Sequence, residues 1–297
     1  MPKFCIVIPT YNSAKTISEA IFSCLNQSFK DFSVVVSDNC SKDNTEEIAS
    51  SIYSKKLRYI RNNSYLNKSE SWNRAYEQSE DCEYLVNLHS DDVLDNHCLK
   101  NISENIAKKP IFIHGPCKRI SFDGNIYKNN FFYPFGYTMS GSKFAESVIL
   151  LNHIGIVGTA INRNSFRKTS GWNANLEFFQ DVSLWIELSK FGNSQYIPKL
   201  LGYYRQPKVL NPNKYINEMI KWYEDIINFN ENNDIRIAAA NSLERVLERV
   251  INSKNSLLDP LVLNSVLSTY KKLKNMDHVR YNVKFRLNFL KFKSMFI

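Results

Sequence analysis

Apolar runs and helical patterns alternate along roughly the first 100 residues, and this order constrains the fold more than any other feature of the chain. Strands buried in a parallel sheet are continuous apolar runs, whereas surface helices repeat apolar residues every 3.6 positions. The predicted strands are FCIVI at 4–8, FSVVVSD at 32–38, LRYIRN at 57–62 and EYLVNLHS at 83–90. The predicted helices start near Ser13, cover 43–53 and 69–78, and follow again near 95–107. The alternation predicts an α/β fold with a doubly wound, mostly parallel central sheet flanked by helices.

Polar clusters follow three of the predicted strands at the points where they end. PTYN comes after the first strand, SDNCSKDNT after the second and HSDD after the fourth. In open α/β sheets, ligands bind beyond the carboxyl ends of the strands. The sequence therefore predicts a binding site at this edge of the sheet.

Several classes of protein are disfavoured by what the sequence lacks. There is no G-x-x-x-x-G-K-[ST] loop and no G-x-G-x-x-G fingerprint, so a kinase, ATPase or dinucleotide enzyme would have no phosphate-binding loop. The six cysteines form no C-x-x-C pair, which favours a reduced chain without a zinc site. No apolar run approaches the ~20 residues of a membrane-spanning helix, and the N-terminus does not resemble a secretory signal. We expect a cytoplasmic protein.

Asp91 and Asp92 are adjacent carboxylates at the end of the fourth predicted strand. Two such charges repel each other, and a divalent cation with oxygen ligands relieves the repulsion. Mg²⁺ or Mn²⁺ at such a position often bridges to nucleotide phosphates. The competing interpretation is a helix N-cap, which stabilises the helix near 95–107 by about 1 kcal/mol. The pair alone leaves a metal–diphosphate site and an N-cap equally open.

Five motifs, taken in order, resemble the family 2 glycosyltransferases and their nucleotide-diphospho-sugar transferase (GT-A) fold. FCIVIPTYN at 4–12 is similar to that family's opening strand and turn, VVVSDNCSKDNT at 34–45 to its second, and LHSDD at 88–92 to its aspartate motif. KSESWNRAYE at 68–77 is similar to the segment beneath the nucleotide, and GWN with FQDVSLWIEL continues the match to about 205. The resemblance implies an inverting enzyme that moves a sugar from a nucleotide-diphosphate donor, expected to be a UDP-sugar, to an acceptor hydroxyl.

The resemblance also implies which residues hold the nucleotide sugar. Thr10 and Tyr11 would line the nucleobase, Asp38 and Asn39 would hydrogen-bond the base or ribose, and Asn73 would support the floor. The full expected binding set is Pro9, Thr10, Tyr11, Asp38, Asn39, Asn73, Ser90 and Asp91.

The chemistry is assigned by the same resemblance. Asp92, with Asp91, would ligate a Mn²⁺ or Mg²⁺ ion that neutralises the diphosphate leaving group. Asp181 matches the catalytic carboxylate and would act as general base on the acceptor hydroxyl. The hydroxyl would attack the anomeric carbon opposite the leaving nucleotide, and this single displacement inverts the anomeric centre.

The chain departs from the family pattern at four positions. His89 stands where the commonest motif has Asp, and Asn39 replaces the second Asp of a usual pair. Gln180 replaces the Glu that often precedes the base, and Pro207 stands near the usual metal-binding His after Tyr-Arg. These departures weaken the expected metal affinity and keep open an alternative function, a catalytically inactive nucleotide-sugar-binding or scaffold protein.

Simpler structural interpretations compete at single residues. His89 is as compatible with a hydrogen-bond donor as with a ligand, and Asp181 without the resemblance would be a helix N-cap. Large aromatic residues dominate core burial, so a core position is the default over a sugar platform. That default applies to Trp72, Trp172 and Trp185.

Beyond about residue 110 the pattern loosens and ends in helices. Helical patterns at 216–229 and 235–251 indicate a C-terminal appendage. We expect a GT-A domain over 1–207, with a nucleotide-sugar half at 1–110 and an acceptor half at 111–207. The helical, basic region would be 208–297.

The C-terminal tail concentrates the positive charge of the chain. Residues 271–297 hold eight Lys or Arg and one acid, whereas the whole chain has a formal net charge of +9. Cations mixed with aromatic rings suit an anionic membrane surface, which predicts peripheral association with the inner face of the cytoplasmic membrane. The alternative is a strand or helix packed on the domain, because the apolar residues of 279–289 alternate as in a strand. A nucleic-acid partner is disfavoured, since no basic groove or nucleic-acid motif is found elsewhere.

The expected setting is bacterial surface-polysaccharide or O-antigen biosynthesis, with a saccharide or polyprenyl-linked acceptor. This setting rests on family analogy alone. The sugar, the acceptor and a homodimer are left open by the sequence.

Overall fold

The computed structural model of the chain describes residues 2–127, 134–150, 154–205, 211–252 and 258–274. It divides into two compact units, the first comprising Met1–Val148 and Asn152–Leu210 and the second Ile149–Leu151 and Asn211–Ile297. The domains expected from the sequence, 1–207 and 208–297, remain a prediction, because a division into compact units does not test what each domain does.

The first unit is an α/β structure built from short strands and helices. Its strands are β1 (Phe4–Thr10), β2 (Phe32–Asp38), β3 (Leu57–Arg61), β4 (Tyr84–Asn87), β5 (Val93–Leu94), β6 (Phe112–His114), β7 (Cys117–Ile120), β8 (Tyr137–Met139), β9 (Ala160–Asn162), β10 (Ser194–Tyr196) and β11 (Gly202–Arg205). Its helices are α1 (Ile17–Leu25), α2 (Thr45–Ser51), α3 (Lys68–Gln78), α4 (Cys98–Ser103), α5 (Gly141–Leu150), α6 (Arg163–Phe166) and α7 (Gln180–Leu188), with a 3₁₀ turn at Ser189–Phe191.

The main sheet has the strand order β3-β2-β1-β4-β9-β6-β10-β8. Strands β3, β2, β1 and β4 are parallel, β10 is parallel to β6, and β9 and β8 run antiparallel to their neighbours. The chain leaves β1 toward β2 and β3 and then returns to β4 on the other side. That reversal is the switch point at which such sheets bind ligands. The predicted doubly wound, mostly parallel sheet is confirmed.

Apolar burial explains why the central strands are placed correctly by the sequence. Every residue of β2, and every residue of β1 except Pro9, is buried. Continuous burial of this kind requires the unbroken apolar runs by which both strands were predicted. Trp172 and Trp185 are 2% and 0% exposed, which confirms their predicted core positions.

Three predicted boundaries were wrong for local reasons. Helix α1 begins at Ile17 rather than near Ser13, because the amides of Thr16 and Ile17 both donate to Ser13 O and close a turn first. The fourth strand ends at Asn87 rather than at residue 90, since the amide of Asp92 donates to His89 O within a turn. Helix α4 is limited to Cys98–Ser103 instead of 95–107.

The N-cap interpretation of the acidic residues was also wrong. Helix α4 is preceded by His97 in the N-cap position, so neither Asp91 nor Asp92 caps it. Helix α7 has Phe179 in that position, and Asp181 is the second residue of the helix. The first turn still favours an acid there, because its amides carry partial positive charge.

A second, three-stranded sheet has the order β5-β11-β7. Strand β11 pairs antiparallel with β5, which follows the acidic turn, and parallel with β7. The pairing places Tyr204 opposite Arg119. This small sheet joins segments before and after residue 110 and carries side chains to the ligand-binding edge.

The second unit is helical within its described residues. It contains α8 (Pro212–Phe229), α9 (Asn233–Asn252) and α10 (Pro260–Lys274). Asn211 caps α8 by accepting hydrogen bonds from the amides of Asn213 and Lys214. The helical patterns at 216–229 and 235–251 are confirmed, but α10 was missed. Among the described residues, no helix is both long enough and apolar enough to cross a bilayer.

Candidate functional site

A cleft of about 1160 Å³ lies in the first unit, at the carboxyl ends of β1, β2 and β4. Ligand pockets usually measure about 300–1,000 Å³, so the cleft is large enough for a nucleotide sugar and part of an acceptor. Seven of the residues expected from the sequence line it: Pro9, Thr10, Tyr11, Asn39, Ser90, Asp91 and Asp181. Asp38, Asn73 and Asp92 do not lie on its wall, and each has contacts just behind it.

Hydrogen bonds join the loop after β1 to the loop after β2. The amide of Asn12 donates to Ser41 Oγ at 2.9 Å, and the amide of Lys42 donates to Asn12 Oδ1 at 2.8 Å. The amide of Ser13 donates to Thr45 Oγ1 at 2.7 Å. Asn12 has φ of 50°, a left-handed conformation that Asn tolerates better than most residues. The polar residues after both strands therefore form one preorganised rim.

Asp38 supports that rim from below and is fully buried. Its Oδ1 accepts hydrogen bonds from the Ser41 amide at 2.8 Å and the Ser41 hydroxyl at 2.6 Å. Its Oδ2 accepts from the Tyr59 hydroxyl at 2.5 Å and lies 3.6 Å from Arg61 Nη1. Both oxygens have partners within the protein, so the predicted contact of Asp38 with a base or ribose remains a prediction.

Asn39 holds a neighbouring loop by its side chain. Its Nδ2 donates to Leu66 O at 2.8 Å, and its Oδ1 accepts from the Leu66 amide at 2.9 Å. This pair of bonds holds the backbone beside Tyr65, whose ring centroid lies 5.1 Å from that of Tyr11. Both residues line the cleft, and Tyr11 is 40% exposed and Tyr65 62% exposed. One end of the cleft therefore offers two aromatic rings.

Asn73 connects α3 to the segment before α7. Its Nδ2 donates to Trp172 O at 2.9 Å, and its Oδ1 accepts from the Trp172 amide at 2.8 Å. Gly171 has φ of +73°, and a Cβ there would lie 2.5 Å from Asn73 Oδ1, so the approach requires glycine. Asn73 therefore joins α3 to the segment before α7, and its expected role in supporting the floor beneath the nucleotide stays a prediction.

The acidic turn of His89, Ser90, Asp91 and Asp92 follows β4, and its first three residues line the same cleft. Asp92 is 1% exposed, and its Oδ1 accepts a hydrogen bond from the Arg205 amide at 2.7 Å. Its Oδ2 is buried and has no hydrogen-bond partner within the described residues. Such an oxygen costs about 1–3 kcal/mol unless a ligand binds it. The turn thus contains a buried carboxyl oxygen without a hydrogen-bond partner in the described residues.

Electrostatics reinforce this picture. Burial, followed by the charge of Asp91, raises the pKa of Asp92 well above its usual range. Burial also raises the pKa of Asp91. Neither carboxylate forms an ion pair with Lys or Arg within 4.0 Å in the described parts of the chain. A cation at the turn would favour the ionised form of both groups.

Arg205 holds the acidic turn by hydrogen bonds, and its charge offsets only part of the effect of burial on the pKa of Asp91 and Asp92. Its guanidinium donates to Asp91 O at 2.6 Å and to Glu19 Oε2 at 2.6 Å. It also donates to Ser121 O and Phe122 O, at 3.0 and 2.9 Å. The Arg205 side chain is 2% exposed, so its bonding is committed to fixing these segments.

The donor set of the turn fits a divalent cation. The ligand atoms of His89, Asp91 and Asp92 lie within 4.8 Å of one another. Burial, followed by the charge of Lys68, lowers the pKa of His89 to about 3, so its imidazole is neutral and able to coordinate. His89 and Asp91 line the cleft, which gives an ion access to the buried Asp92 oxygen.

Asp181 faces the same cleft from the first turn of α7. Its Oδ1 accepts a hydrogen bond from the Val182 amide at 2.7 Å. Its charge, after burial and the charges of Asp92 and Asp91, contributes to raising the pKa of Tyr204. Gln180 is 3% exposed, and its Nε2 donates to Glu177 O at 2.8 Å, so it shapes the turn that presents Asp181.

Sequence reasoning missed several residues of the cleft wall. Trp72 is half-buried and lines the cleft, so the prediction of a core position was wrong for it. Its ring lies over that of His89, with centroids 4.8 Å apart. The other missed wall residues with polar or aromatic side chains include Lys15, Asp43, Tyr65, Lys68, Arg119, Phe122, Glu177 and Phe178. Lys15, Asp43 and Lys68 lie in or near the motifs along the sequence, and this proximity was the signal by which they could have been found. No sequence signal identifies Arg119 and Phe122 as wall residues.

Two expectations fall outside the described residues. Pro207 belongs to 206–210, and the basic, aromatic segment 278–297 belongs to 275–297.

A doubly wound sheet with an acidic turn and a further carboxylate facing one cleft at its carboxyl edge has the arrangement of a GT-A domain. The family described as Glycosyl transferase family 2 matches residues 5–168, which is more than half of the chain. The chain belongs to this family of glycosyltransferases. The predicted family and its enzyme class are confirmed at that level.

Named relatives cover part of the chain at modest identity. A GalNAc(5)-diNAcBac-PP-undecaprenol beta-1,3-glucosyltransferase of Campylobacter jejuni is 26% identical over 209 residues, which are 69% of this chain and 65% of the relative. A chondroitin synthase of Pasteurella multocida is 26% identical over 211 residues, 67% of this chain and 20% of the synthase. The chain therefore spans just under two thirds of the first relative's length and a fifth of the second's.

A solved structure supports the fold over nearly the whole chain. Staphylococcus aureus TarS 1–349, crystallised in complex with UDP, superposes with a TM-score of 0.69 at 19% identity, covering 92% of this chain and 81% of that chain. The predicted GT-A fold is confirmed.

Proposed function

We propose that this chain transfers a sugar from a nucleotide-diphosphate donor to a hydroxyl group of a saccharide acceptor, with inversion at the anomeric carbon. One observation carries the proposal. The acidic turn, in which Asp92 Oδ2 has no hydrogen-bond partner among the described residues, and Asp181 lie at the same cleft, at the switch point of the sheet. Membership of the glycosyltransferase family gives the reaction class.

The donor nucleotide would lie at the end of the cleft formed by the loops after β1 and β2. Tyr11 and Tyr65 offer rings to a base, and Thr10 and Asn39 form the wall between them and the sheet. Pro9 and Ser90 complete the path toward the acidic turn. We favour a UDP-sugar, in line with the UDP complex of TarS.

The donor diphosphate would lie against Asp91 and Asp92. A Mn²⁺ or Mg²⁺ ion held there would offset the negative charge that develops on the leaving nucleotide. The residues contribute the fixed geometry of this site: Arg205 holds the turn, and Ser90 ties it to the first loop by a 2.7 Å contact with Ser13 Oγ.

Asp181 would take the proton from the acceptor hydroxyl. It lies in the first turn of α7 and lines the same cleft as the loops that would hold the nucleotide. A general base contributes about 10²–10⁴-fold to such a reaction. Attack from the side opposite the leaving nucleotide inverts the anomeric centre.

The acceptor would occupy the wall formed by segments after residue 115. This wall combines the exposed ring of Phe122 with Arg119, Phe178 and Ile156. The Campylobacter relative is named for an undecaprenol-linked acceptor, which favours a lipid-linked saccharide here too. We place the reaction in surface-polysaccharide biosynthesis, of which O-antigen assembly is one form.

Location at the inner face of the cytoplasmic membrane completes the proposal. The net positive charge of 271–297 and its aromatic residues suit anionic lipid. Deleting 278–297 should reduce salt-sensitive binding to phosphatidylglycerol vesicles and spare transfer to a short soluble acceptor. Unchanged vesicle binding, or unfolding of the truncated chain, would contradict a membrane role for the tail.

A donor screen tests the proposed reaction directly. The intact chain is mixed with UDP-, GDP- and dTDP-sugars and Mn²⁺, and the melting temperature and nucleotide release are measured with bacterial lipid extract as acceptor source. We expect one UDP-sugar to raise the melting temperature and to release UDP only with the extract. Donor stabilisation without nucleotide release in any extract would favour an inactive nucleotide-sugar-binding protein. The replacements at His89 and Gln180 are sequence features that support this alternative.

A further inference from the structure

The acidic turn carries a nitrogen donor beside its two carboxylates. His89 Nδ1 lies 3.6 Å from Asp92 Oδ2, which is too long for a hydrogen bond. Ligands bound about 2.1 Å from one ion lie about 3.0 Å apart when adjacent and about 4.2 Å apart when opposite. At 3.6 Å the two atoms lie between these two separations, so they can bind a single ion with an angle wider than 90° at the metal.

A second, independent observation also indicates a ligand at this position: Asp92 Oδ2 has no hydrogen-bond partner among the described residues. The side chain is 0% exposed. The other oxygen is already bound to the Arg205 amide. Oδ2 is thus the atom of the turn that most needs a partner, and it is the atom that faces His89.

Packing holds the imidazole in place. The His89 ring lies over the Trp72 ring at an interplanar angle of 33°, and Trp72 contacts the buried Trp172 edge-on at 4.6 Å. A ring fixed in this way loses little conformational freedom when it binds an ion. His89 also lines the cleft, so an ion can reach it from solvent.

We propose that His89 is a metal-binding residue of this turn and that its nitrogen shifts the site's preference from Mg²⁺ toward Mn²⁺ and Co²⁺. The proposal rests on the metal-assisted donor site proposed above. Mg²⁺ prefers oxygen ligands and gives up its waters reluctantly, whereas the affinity of a site that contains nitrogen rises along the first row from Mn²⁺ to Co²⁺. His89 supplies the nitrogen donor of this group of three ligand residues, and Asp91 and Asp92 supply oxygen.

The test compares metal affinities of the full chain and two variants. Calorimetry with Mg²⁺, Mn²⁺ and Co²⁺ is performed on the wild type, on His89→Asp, which keeps a ligand but replaces nitrogen by oxygen, and on His89→Phe, which keeps a ring against Trp72 but has no ligand. We expect His89→Asp to lower the ratio of Co²⁺ to Mg²⁺ affinity by roughly 10–100-fold. His89→Phe should weaken Mn²⁺ and Co²⁺ binding and leave the melting temperature of the metal-free chain within a few degrees.

Electron spin-echo spectroscopy of the Mn²⁺-loaded chain supplies a direct readout. Nitrogen modulation should be present in the wild type and absent in His89→Asp. Absence of nitrogen modulation in the wild type, or an unchanged affinity ratio in His89→Asp, would refute the role of His89.

The two proposals fail separately. Transfer that persists in EDTA, with no ion bound, would leave the proposed reaction standing and remove His89 from it. Nitrogen-coupled Mn²⁺ in a chain that transfers no sugar would keep the role of His89 and overturn the proposed reaction.

Discussion

Asp38 and Asp92 are both buried carboxylates close to the same cleft, yet their surroundings are opposite. Asp38 accepts three hydrogen bonds from Ser41 and Tyr59 and lies near Arg61. Asp92 accepts one from the Arg205 amide and has a bare oxygen among the described residues. The first carboxylate is satisfied by the fold, whereas the second needs a ligand from outside.

This difference distinguishes the loops after β1 and β2 from the acidic turn after β4. In the sequence these parts of the site look alike, because each is a polar cluster at the end of a strand. The loops after β1 and β2 form a rim that is complete without ligand, because their amides and side chains bond to each other. The acidic turn after β4 leaves Asp92 Oδ2 without a hydrogen-bond partner in the described residues, and we propose that a cation binds there. We therefore expect substitutions in the rim to act on stability and substitutions in the turn to act on chemistry.

Asp92→Asn should give the largest effect. It keeps an acceptor oxygen for the Arg205 amide but removes a charged metal ligand, so transfer should fall by about 10³-fold, equivalent to roughly 4 kcal/mol. Thermal unfolding should occur at the same or a higher temperature, because a buried carboxylate without a counter-ion is replaced by a neutral amide. Initial rates with the donor found by the screen, together with melting curves, measure both.

The matched control is Asp95→Asn, which changes the same charge three residues away. Asp95 Oδ1 accepts from the His97 amide and lies off the cleft wall. Its variant should transfer sugar at close to the wild-type rate. A variant of Asp92 that remains fully active would remove the distinction between the two carboxylates.

Asp181→Asn should lower the turnover number by roughly 10²-fold, the lower end of the contribution of a general base, and leave donor affinity unchanged. An amide has nearly the same shape but cannot accept the proton of the acceptor hydroxyl. Steady-state rates and donor titrations separate the two quantities. Glu177→Gln makes the same charge change on the same wall; if that variant loses turnover and Asp181→Asn does not, the base is misassigned.

Asp38→Asn should act in the opposite sense to Asp92→Asn. Losing charge-assisted hydrogen bonds from Ser41 and Tyr59 should lower the free energy of unfolding by about 2 kcal/mol. Metal affinity, measured by Mn²⁺ titration, should stay within about twofold, since the acidic turn does not contact Asp38 directly. Denaturant unfolding measures the first quantity. Equal stability losses in the Asp38 and Asp92 variants would contradict the comparison.

The sequence could predict the rim and the turn as clusters, but it could not predict which residues face the ligand. Continuous apolar runs fixed the central strands, so the positions of PTYN, SDNCSKDNT and HSDD at one edge followed directly. The partners of each side chain depend on loop geometry. Nothing in the sequence separates Asp38, which bonds to Tyr59, from Asp91, which lines the cleft.

The cleft-wall residues beyond residue 110 were harder to predict from the sequence, for a different reason. Arg119 and Phe122 reach the cleft only because β7 pairs with β11, about 80 residues later in the chain. Short strands of three or four residues carry too little periodic signal to be assigned locally. Trp72 was misplaced for the same kind of reason, since its half-burial depends on where His89 lies.

The smallest predicted effect concerns the bond that joins the two regions. Ser13 Oγ and Ser90 Oγ lie 2.7 Å apart, and they connect the rim to the acidic turn. Ser13→Ala and Ser90→Ala should each lower the free energy of unfolding by about 1 kcal/mol, and the double variant should lose little more than either single variant.

The same bond should couple nucleotide and metal binding, because a base held by the rim then restricts the turn that holds the ion. Mn²⁺ affinity is measured with and without UDP, and the enhancement by UDP should fall by about fivefold in Ser13→Ala, the equivalent of about 1 kcal/mol. Ser71→Ala serves as the control, because Ser71 lines the cleft without joining these loops. If UDP enhances Mn²⁺ binding equally in all three chains, the rim and the turn bind their ligands independently, and the contrast between them is one of stability alone.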